Sequence, residues 1–181
     1  MKQKKIRKSL DSQHNLAKLT FRYQAACRRF DIEAAVACFA PDGRLEYAGH
    51  VYTGTAELRN AHLWDRGAHN EIAFIDLSVV RNVVHCTMLN QHELHRVLGI
   101  DSIRRPAKFI VRKSSITSLQ ILTPDSKSMQ AFRQMAAPFF AWVRAHQAEA
   151  WERTEILDEE GGRTLYELAH AWQDAKLGAG P

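Results

Sequence analysis

Two side chains that could take part in hydrogen bonding or proton transfer, Asn90 and His92, lie two positions apart in a run of strand-forming residues. One alternate set of that run is Val84, Cys86, Met88, Asn90 and His92, and the other is Val83, His85, Thr87, Leu89 and Gln91. Because a strand repeats every two residues, Asn90 and His92 are predicted to share a face. His92 could then act as a general base near neutral pH. The alternative is a rim or surface histidine, since nothing in the sequence identifies its partner.

Tyr23 is the third residue with chemical potential. It falls on the apolar stripe of a helical stretch, together with Leu16, Leu19, Ala26 and Cys27. Its phenol could donate a hydrogen bond into a cavity. Equally, it could be a core tyrosine whose hydroxyl is satisfied elsewhere. The sequence leaves both interpretations open.

The stretch His92-Glu93-Leu94-His95 invites a metal-site interpretation. It is not the helical HExxH pattern, and on a strand the two histidines would point to opposite faces. The nine histidines are scattered, with no cysteine or carboxylate at ligand spacing. The sequence also contains no G-x-S-x-G, P-loop or G-x-G-x-x-G pattern, which argues against serine hydrolases, nucleotide hydrolases and dinucleotide enzymes. We therefore predict no metal and no cofactor.

The length and charge of the chain limit what can position these residues. A chain of 181 residues is long enough for one domain with its own core. The net charge is +5, and five basic residues lie between Lys2 and Lys8, so residues 1–14 are predicted to form a basic, flexible arm. Nucleic-acid or anionic-surface binding by this arm is a weaker alternative.

The three cysteines form no disulfide framework, and no signal-like or membrane-spanning apolar run occurs, which predicts a cytoplasmic protein.

Hydrophobic periodicity predicts the elements around the candidate residues. Two helices are expected between Asn15 and Phe39, then a turn at Pro41-Asp42-Gly43, a hairpin over 44–52 and a helix over 55–66. Strands are predicted over 72–80, 83–97, 105–112 and 116–122, and the last two are expected to pair antiparallel.

The last third of the sequence predicts helices. One is expected over 126–137, a second beginning with Pro138 as its first residue, and a third over 164–176. Glu159-Glu160-Gly161-Gly162 is predicted to be a loop. Runs of strands separated from runs of helices favour an α+β fold, with helices on one face of an antiparallel sheet. A long sheet wrapped around a helix leaves a hollow where ligands bind.

Two stretches resemble the nuclear transport factor 2-like superfamily, which includes SnoaL-like polyketide cyclases, ketosteroid isomerases and limonene epoxide hydrolases. The first runs from Phe39-Ala40-Pro41-Asp42-Gly43 to Tyr52-Thr53-Gly54-Thr55-Ala56-Glu57-Leu58, and the second, Phe109 to Leu119, resembles the closing hairpin. The resemblance covers residues 15–124. It implies a cone-shaped, curved antiparallel sheet wrapped around N-terminal helices, a cystatin-like roll, with residues 125–181 as a C-terminal helical extension packed on the same domain. It also implies a homodimer formed through the sheet.

The resemblance assigns roles residue by residue. On the ketosteroid isomerase pattern, Tyr23 takes the place of the oxyanion-hole tyrosine. The catalytic aspartate falls at Tyr47 and the protonated aspartate falls near Ala107. Two of three chemical groups are thus missing, and this particular isomerase activity is not expected. The resemblance also turns Asn90 and His92 toward the concave side.

The leading hypothesis is therefore a central cavity that binds a small apolar molecule, such as a polyketide, terpenoid or steroid-like compound. Isomerase, cyclase or hydratase-type acid/base chemistry would be carried by His92, with Tyr23 stabilising an oxyanion. The predicted pocket lining is Tyr47, Met88, Asn90, Phe109, Leu119 and Ile121. The alternative is a non-catalytic, dimeric protein-interaction module whose pocket is filled by side chains. The missing aspartates favour the alternative, whereas the polar-tipped apolar strand favours ligand binding.

Overall fold

The computed structural model describes the backbone of residues 2–178 and the side chains of residues 14–178. The helices are α1 (Lys2–Arg28), α2 (Ile32–Val36), α3 (Gly54–Gly67), α4 (Glu93–Val97), α5 (Ser126–His146), α6 (Ala148–Thr154) and α7 (Glu159–Gly178). The strands are β1 (Phe39–Tyr47), β2 (His50–Thr53), β3 (Glu71–Val80), β4 (Val83–Gln91), β5 (Ile103–Arg112) and β6 (Ser115–Ile121). The side chains of Lys2 to Lys8 lie outside the described residues, so the basic arm stays a prediction.

The chain divides into two compact units. The sheet unit comprises Met1–Arg59, Ile72–Leu89 and Arg104–Thr123. The helical unit comprises Asn60–Glu71, Asn90–Ile103 and Pro124–Pro181. The helical unit therefore combines the C-terminal helices with two segments from earlier in the chain.

The six strands form one curved, open sheet in the order β2-β1-β6-β5-β4-β3. β5 and β6 pair antiparallel, as predicted, and so do β1 and β2. β1 and β6, however, pair parallel, so the sheet is mixed rather than wholly antiparallel. This is possible because the long chain between β1 and β6 provides the crossover that parallel neighbours need. The α+β fold with a C-terminal helical part is confirmed.

Aromatic side chains hold α1 on the sheet. Tyr23 is 2% exposed, and its ring lies 5.5 Å from that of Phe39, 5.9 Å from Phe74 and 5.8 Å from Phe109. The interplanar angles to Phe39 and Phe109 are 83° and 72°, the edge-to-face geometry that aromatic pairs prefer. The sheet unit thus has a compact aromatic core.

The helical unit has a separate apolar core. Its buried members are Ala68, Leu94, Phe139, Val143, Leu165, Leu168, Ala169 and Trp172. They come from the chain after α3, from α4, α5 and α7, so this core joins segments far apart in sequence. No helix in the described part of the chain is both long and apolar enough to cross a bilayer.

Two predicted boundaries near the first strands and the middle of the sheet were wrong. Pro41-Asp42-Gly43 lies inside β1 rather than in a turn, where the pairing with β6 shifts register between Phe39 and Arg44. Proline is tolerated at such irregularities. A Cβ on Gly43 would lie 2.8 Å from the oxygen of Ala40, so only glycine fits. β4 ends at Gln91, and residues 93–97 form α4 because Leu94 and Val97 then pack into the helical core.

Two predicted breaks among the C-terminal helices were also wrong. α5 continues through Pro138, because it buries Ala136, Phe139 and Val143 on one face. That burial outweighs the hydrogen bond that proline removes from the helix. The predicted loop at 159–162 is the first turn of α7. Its glycines serve close packing instead, since a Cβ on Gly162 would collide with the backbone oxygen of Trp64.

Candidate functional site

The residues predicted to line the pocket from β4, β5 and β6 lie in the tightly packed part of the sheet unit. Phe109 and Leu119 expose 0% of their surface and Met88 exposes 2%. Phe109 stands opposite Leu119 in the β5–β6 ladder. A residue with no exposed surface touches no space large enough for water. Their role as pocket lining stays a prediction, and it requires the core to open.

Tyr47 and Ile121 are the more accessible members of the predicted lining. Both are half-buried, and they stand opposite each other in the β1–β6 ladder. The guanidinium of Arg105 lies 5.0 Å from the centre of the Tyr47 ring, a cation–π contact. The aromatic ring of Tyr47 and the positive charge of Arg105 therefore lie together at this end of the β1–β6 ladder.

Asn90 and His92 belong to the helical unit, whereas Tyr23 belongs to the sheet unit. The alternation through β4 is as expected, because Val84, Cys86, Met88 and Asn90 are buried. His92 follows the last residue of β4 and caps α4. Asn90 is 2% exposed, and His92 is half-buried.

A chain of hydrogen-bonded polar groups, which we call the amide relay, runs from the half-buried Asp65 to the buried Asn90. It consists of Asp65 on α3, Asn70 after α3, and Asn90 at the end of β4. The Nδ2 atom of Asn70 donates to Oδ1 of Asp65 at 2.6 Å, and Nδ2 of Asn90 donates to Oδ1 of Asn70 at 3.4 Å. Asn70 and Asn90 are 7% and 2% exposed. Oδ1 of Asn90 is buried and has no hydrogen-bond partner among the described residues.

The direction of the amide relay follows from its first member. An ionised carboxylate only accepts hydrogen bonds, so Asn70 must turn its NH2 group toward Asp65. Its oxygen then faces Asn90, and Asn90 must turn its own NH2 group toward that oxygen. The acceptor Oδ1 of Asn90 is thereby pointed away from the relay. The orientation of Asn90 is therefore determined by the network, and so is the identity of the unpaired atom.

His92 and His95 form a stacked pair beside the relay's end. Their ring centres lie 3.6 Å apart at an interplanar angle of 26°. The backbone N–H of His92 donates to Nδ1 of His95 at 3.3 Å, so the neutral His95 ring carries its proton on Nε2. The Trp64 ring meets His92 edge-on at 6.3 Å, and Phe132 meets the buried His95 at 5.7 Å.

The argument against a metal site assumed a strand at 92–95, but His92 caps a helix that contains His95. The two histidines consequently stack rather than point apart. Among the described residues, no group of three or more His, Cys, Asp or Glu side chains is arranged to hold a metal ion.

Sequence reasoning missed Asp65, Asn70 and the neighbouring His62. His62 is 3% exposed, and its Nδ1 lies 3.7 Å from Oδ2 of Asp65. The His62–Asp65 spacing of three on a helix was the one readable signal, because such residues share a face. Asn70 follows Gly67 at the end of α3, where a polar residue is expected in any case, so nothing in the sequence set it apart.

None of the three cysteine thiols supplies a nucleophile to the Asn90 site. All three cysteines are buried and free of disulfides. Burial raises the pKa of the Cys86 thiol to about 12, because a thiolate would lose its hydration there. Cys86 therefore remains protonated at neutral pH.

Comparison with known proteins gives the fold. No protein-family model matches the sequence, and no curated protein does. Among solved structures, a protein from Sinorhizobium meliloti provisionally assigned as a polyketide cyclase is 16% identical, with a TM-score of 0.52, over 58% of this chain and 94% of its own. An NTF2-like protein of unknown function from Cytophaga hutchinsonii is 13% identical, with a TM-score of 0.51, over 64% of this chain and 94% of its own.

An enzyme described as epoxide hydrolase/cyclase-like, SalBIII, which has a role in pyran ring formation in the polyether salinomycin, is 17% identical. Its TM-score is 0.53, over 60% of this chain and 90% of its own. These neighbours are matched over nearly their whole length, whereas more than a third of this chain has no counterpart in them. The chain therefore has the nuclear transport factor 2-like, cystatin-like fold that the resemblance in its sequence predicted.

Proposed function

We propose that the protein binds a small, largely apolar molecule that donates a hydrogen bond to Oδ1 of Asn90. The observation that carries this proposal is the unpaired, buried acceptor at the end of the amide relay. A buried polar atom without a partner costs roughly 1–3 kcal/mol, and such atoms call for an explanation. A ligand hydroxyl, enol or N–H group would recover that free energy.

The surroundings of Asn90 support an apolar ligand with one polar end. His92 follows Asn90 by two residues of extended backbone, so both side chains point to the same side. The rings of Trp64 and Phe132 frame the histidine pair. Such a mixture of aromatic surface with few directed polar groups is typical of small-molecule sites. Because Oδ1 of Asn90 is buried, binding requires neighbouring side chains to move.

The test uses two probes that differ in one hydrogen-bond donor, 2-naphthol and 2-methoxynaphthalene. Wild type is expected to bind 2-naphthol about tenfold more tightly in fluorescence titrations, since about 1.4 kcal/mol corresponds to one hydrogen bond. Asn90→Leu removes the acceptor at similar volume and should bring the ratio close to one. The control, Asn60→Leu, changes an exposed amide of the same unit and should keep the ratio. Binding of 2-naphthol with the same preference in Asn90→Leu would contradict the proposal.

Acid/base chemistry at His92 extends the proposal, whereas the oxyanion-donor role predicted for Tyr23, a residue of the other unit, stays a separate prediction. Native mass spectrometry of the protein purified gently from its own cells would identify a co-purified compound, which can then be offered as substrate. If that compound is converted, His92→Ala should lower turnover by roughly a hundredfold or more. His146→Ala, which changes an exposed histidine, should not. Equal rates in wild type and His92→Ala would remove His92 from the chemistry.

The second candidate function is the protein-interaction module with a filled pocket. It is favoured by the complete burial of Phe109 and Leu119, which leaves them no free space to offer a ligand. The same titration separates the two candidates. Absence of binding by both naphthalene probes would favour the interaction module, and a homodimer formed through the sheet would then be the first partner to test.

A further inference from the structure

A cavity in the sheet unit, which we call the basic cavity, is separate from the Asn90 site. Its volume is about 540 Å³. Its lining residues come from α1 and from two hairpin turns of the sheet: Asn15, Leu16, Lys18, Leu19, Arg22, Arg81, Asn82, Val111, Lys113 and Ser114. Four of these are cationic and none is acidic.

The four cations lack a counter-charge among the side chains that the structure describes. Within the described part of the chain, Lys18, Arg22, Arg81 and Lys113 take part in no ion pair. Gathering like charges around one cavity is unfavourable unless an anion joins them. By contrast, two other arginines of the sheet unit are paired, Arg59 with Glu33 at 2.8 Å and Arg104 with Asp76 at 3.5 Å.

The two hairpin turns are built so that each presents a cation. β3 and β4 are joined by Arg81-Asn82, and β5 and β6 by Lys113-Ser114. Arg81, Lys113 and Ser114 have φ values of 57°, 47° and 66°, a left-handed conformation in which glycine or asparagine is less strained. Strained backbone at non-glycine residues is concentrated at functional sites. Both turns therefore carry a basic residue at a position where glycine or asparagine would be less strained.

Hydrogen bonds hold the two turns together. The backbone N–H of Val111 donates to the oxygen of Asn82 at 3.0 Å, and Nδ2 of Asn82 lies 3.4 Å from the oxygen of Val111. Arg81 and Lys113 are thereby placed on neighbouring turns of one rigid sheet end. Such pre-arrangement reduces the entropy that binding must overcome.

We propose that the basic cavity binds an organic polyphosphate of nucleotide size. A triphosphate at neutral pH carries about as much negative charge as the four cations can balance. The apolar side chains of Leu16, Leu19 and Val111 offer a surface for an organic group. The volume is larger than inorganic phosphate needs and lies within the range of small-molecule sites, about 300–1,000 Å³. Arginine and lysine are also the residues that bind phosphate oxygens most strongly.

The first experiment is isothermal titration of the full chain with ATP in metal-free buffer, at low and moderate salt. Binding is expected to weaken as salt rises, because it depends on charge. Tripolyphosphate should compete with ATP, whereas adenosine should not. Absence of ATP binding, or competition by adenosine and not by tripolyphosphate, would overturn the proposal. Binding of a twelve-residue oligothymidylate without binding of ATP would overturn it too, in favour of nucleic-acid contact.

The second experiment uses the double variant Arg81→Asn, Lys113→Asn. Asparagine tolerates the left-handed conformation, so the melting temperature should not fall. ATP should nevertheless bind about a hundredfold more weakly, since two charge-assisted contacts are lost. The control, Lys127→Asn with Arg144→Asn, removes the same charge from exposed positions of the helical unit and should change binding less than about twofold. Equal weakening in the two double variants would show a net-charge effect and overturn the site.

Discussion

The two units of the molecule bury different types of side chain. In the sheet unit, the buried side chains are almost wholly apolar, with Thr20 and Ser118 as the polar ones among the described residues. In the helical unit, the described buried polar side chains are His62, Asn70, Asn90, His95 and Thr154. Burying polar groups costs free energy unless each finds a partner. An unpaired amide oxygen in the helical unit therefore says more about function than a further buried phenylalanine in the sheet unit does.

This difference separates the residues that determine the fold from those that we propose determine the function. The solved structures that share the fold are at most 17% identical among those compared above, so the fold tolerates very different sequences. An apolar core tolerates such change if volume and pattern are kept. A directed chain of hydrogen bonds does not, because each member determines the orientation of the next.

The largest expected effect tests whether the aromatic core of the sheet unit is filled. Phe109→Ala should lower the free energy of unfolding by about 3–5 kcal/mol, because it leaves a cavity beside the rings of Tyr23 and Phe74. Urea denaturation monitored by circular dichroism measures the loss. Phe21→Ala, at a position 51% exposed, should cost less than about 1 kcal/mol. A similarly small loss for Phe109→Ala would show that this core already contains open space.

The next effect tests the close packing within the helical unit. Gly162→Ala should destabilise the protein by about 1–3 kcal/mol, because its Cβ would collide with backbone of Trp64 and Ala68. Gly178→Ala is the matched control, since no atom of the described residues lies within 4 Å of its Cβ. Alanine also has the higher helix propensity, so the control should be neutral or slightly stabilising. Thermal denaturation compares the two, and equal melting temperatures would contradict the tight approach of α7 to α3.

The smallest effect concerns the start of α7. Oδ1 of Asp158 accepts from the backbone N–H of Gly161 at 2.8 Å and also binds Arg153 at 2.7 Å. These contacts, the backbone hydrogen bond first, lower the pKa of the Asp158 carboxyl. Asp158→Ala should cost about 1 kcal/mol at neutral pH, as for other helix caps.

The pH dependence of that cost provides a sharper check. Because the folded-state pKa is lowered, the contribution of Asp158 is complete above the unfolded-state value near 4. It is lost as the pH falls through the folded-state pKa. Denaturation curves of wild type and Asp158→Ala should therefore converge in acid. Asp174→Ala, at an exposed position of the same helix, should differ little from wild type throughout. A constant difference down to the lowest pH would contradict the assigned role.

The sequence was informative where structure is local. The apolar stripe around Tyr23 predicted α1, alternation through Met88 predicted β4, and the short link at Lys113-Ser114 predicted the β5–β6 hairpin. The Phe109–Leu119 segment carried the family resemblance, and the fold agrees. Each of these features is determined by a few neighbouring residues, so a single stretch of sequence contains it.

Prediction failed where distant residues decide the local structure. Leu94 draws residues 93–97 into a helix by packing into the helical core, and Phe139 does the same for the stretch around Pro138. Gly162 looks like a loop residue until the backbone of α3 is seen beside it. Local propensities of about 1 kcal/mol per residue are overridden when a tertiary contact buries a large side chain.

By itself, the sequence determined an α+β protein of the nuclear transport factor 2-like fold and named Tyr23, Asn90 and His92 as residues to examine. Only the tertiary structure decided that Asp65 and Asn70 turn the oxygen of Asn90 away from its own network, and that His92 stacks on His95. It also gathered Lys18, Arg22, Arg81 and Lys113 from three segments around one cavity. The physical reason is the same in each case. Hydrogen-bond direction and local charge density depend on which distant atoms meet, and no short stretch of sequence records that.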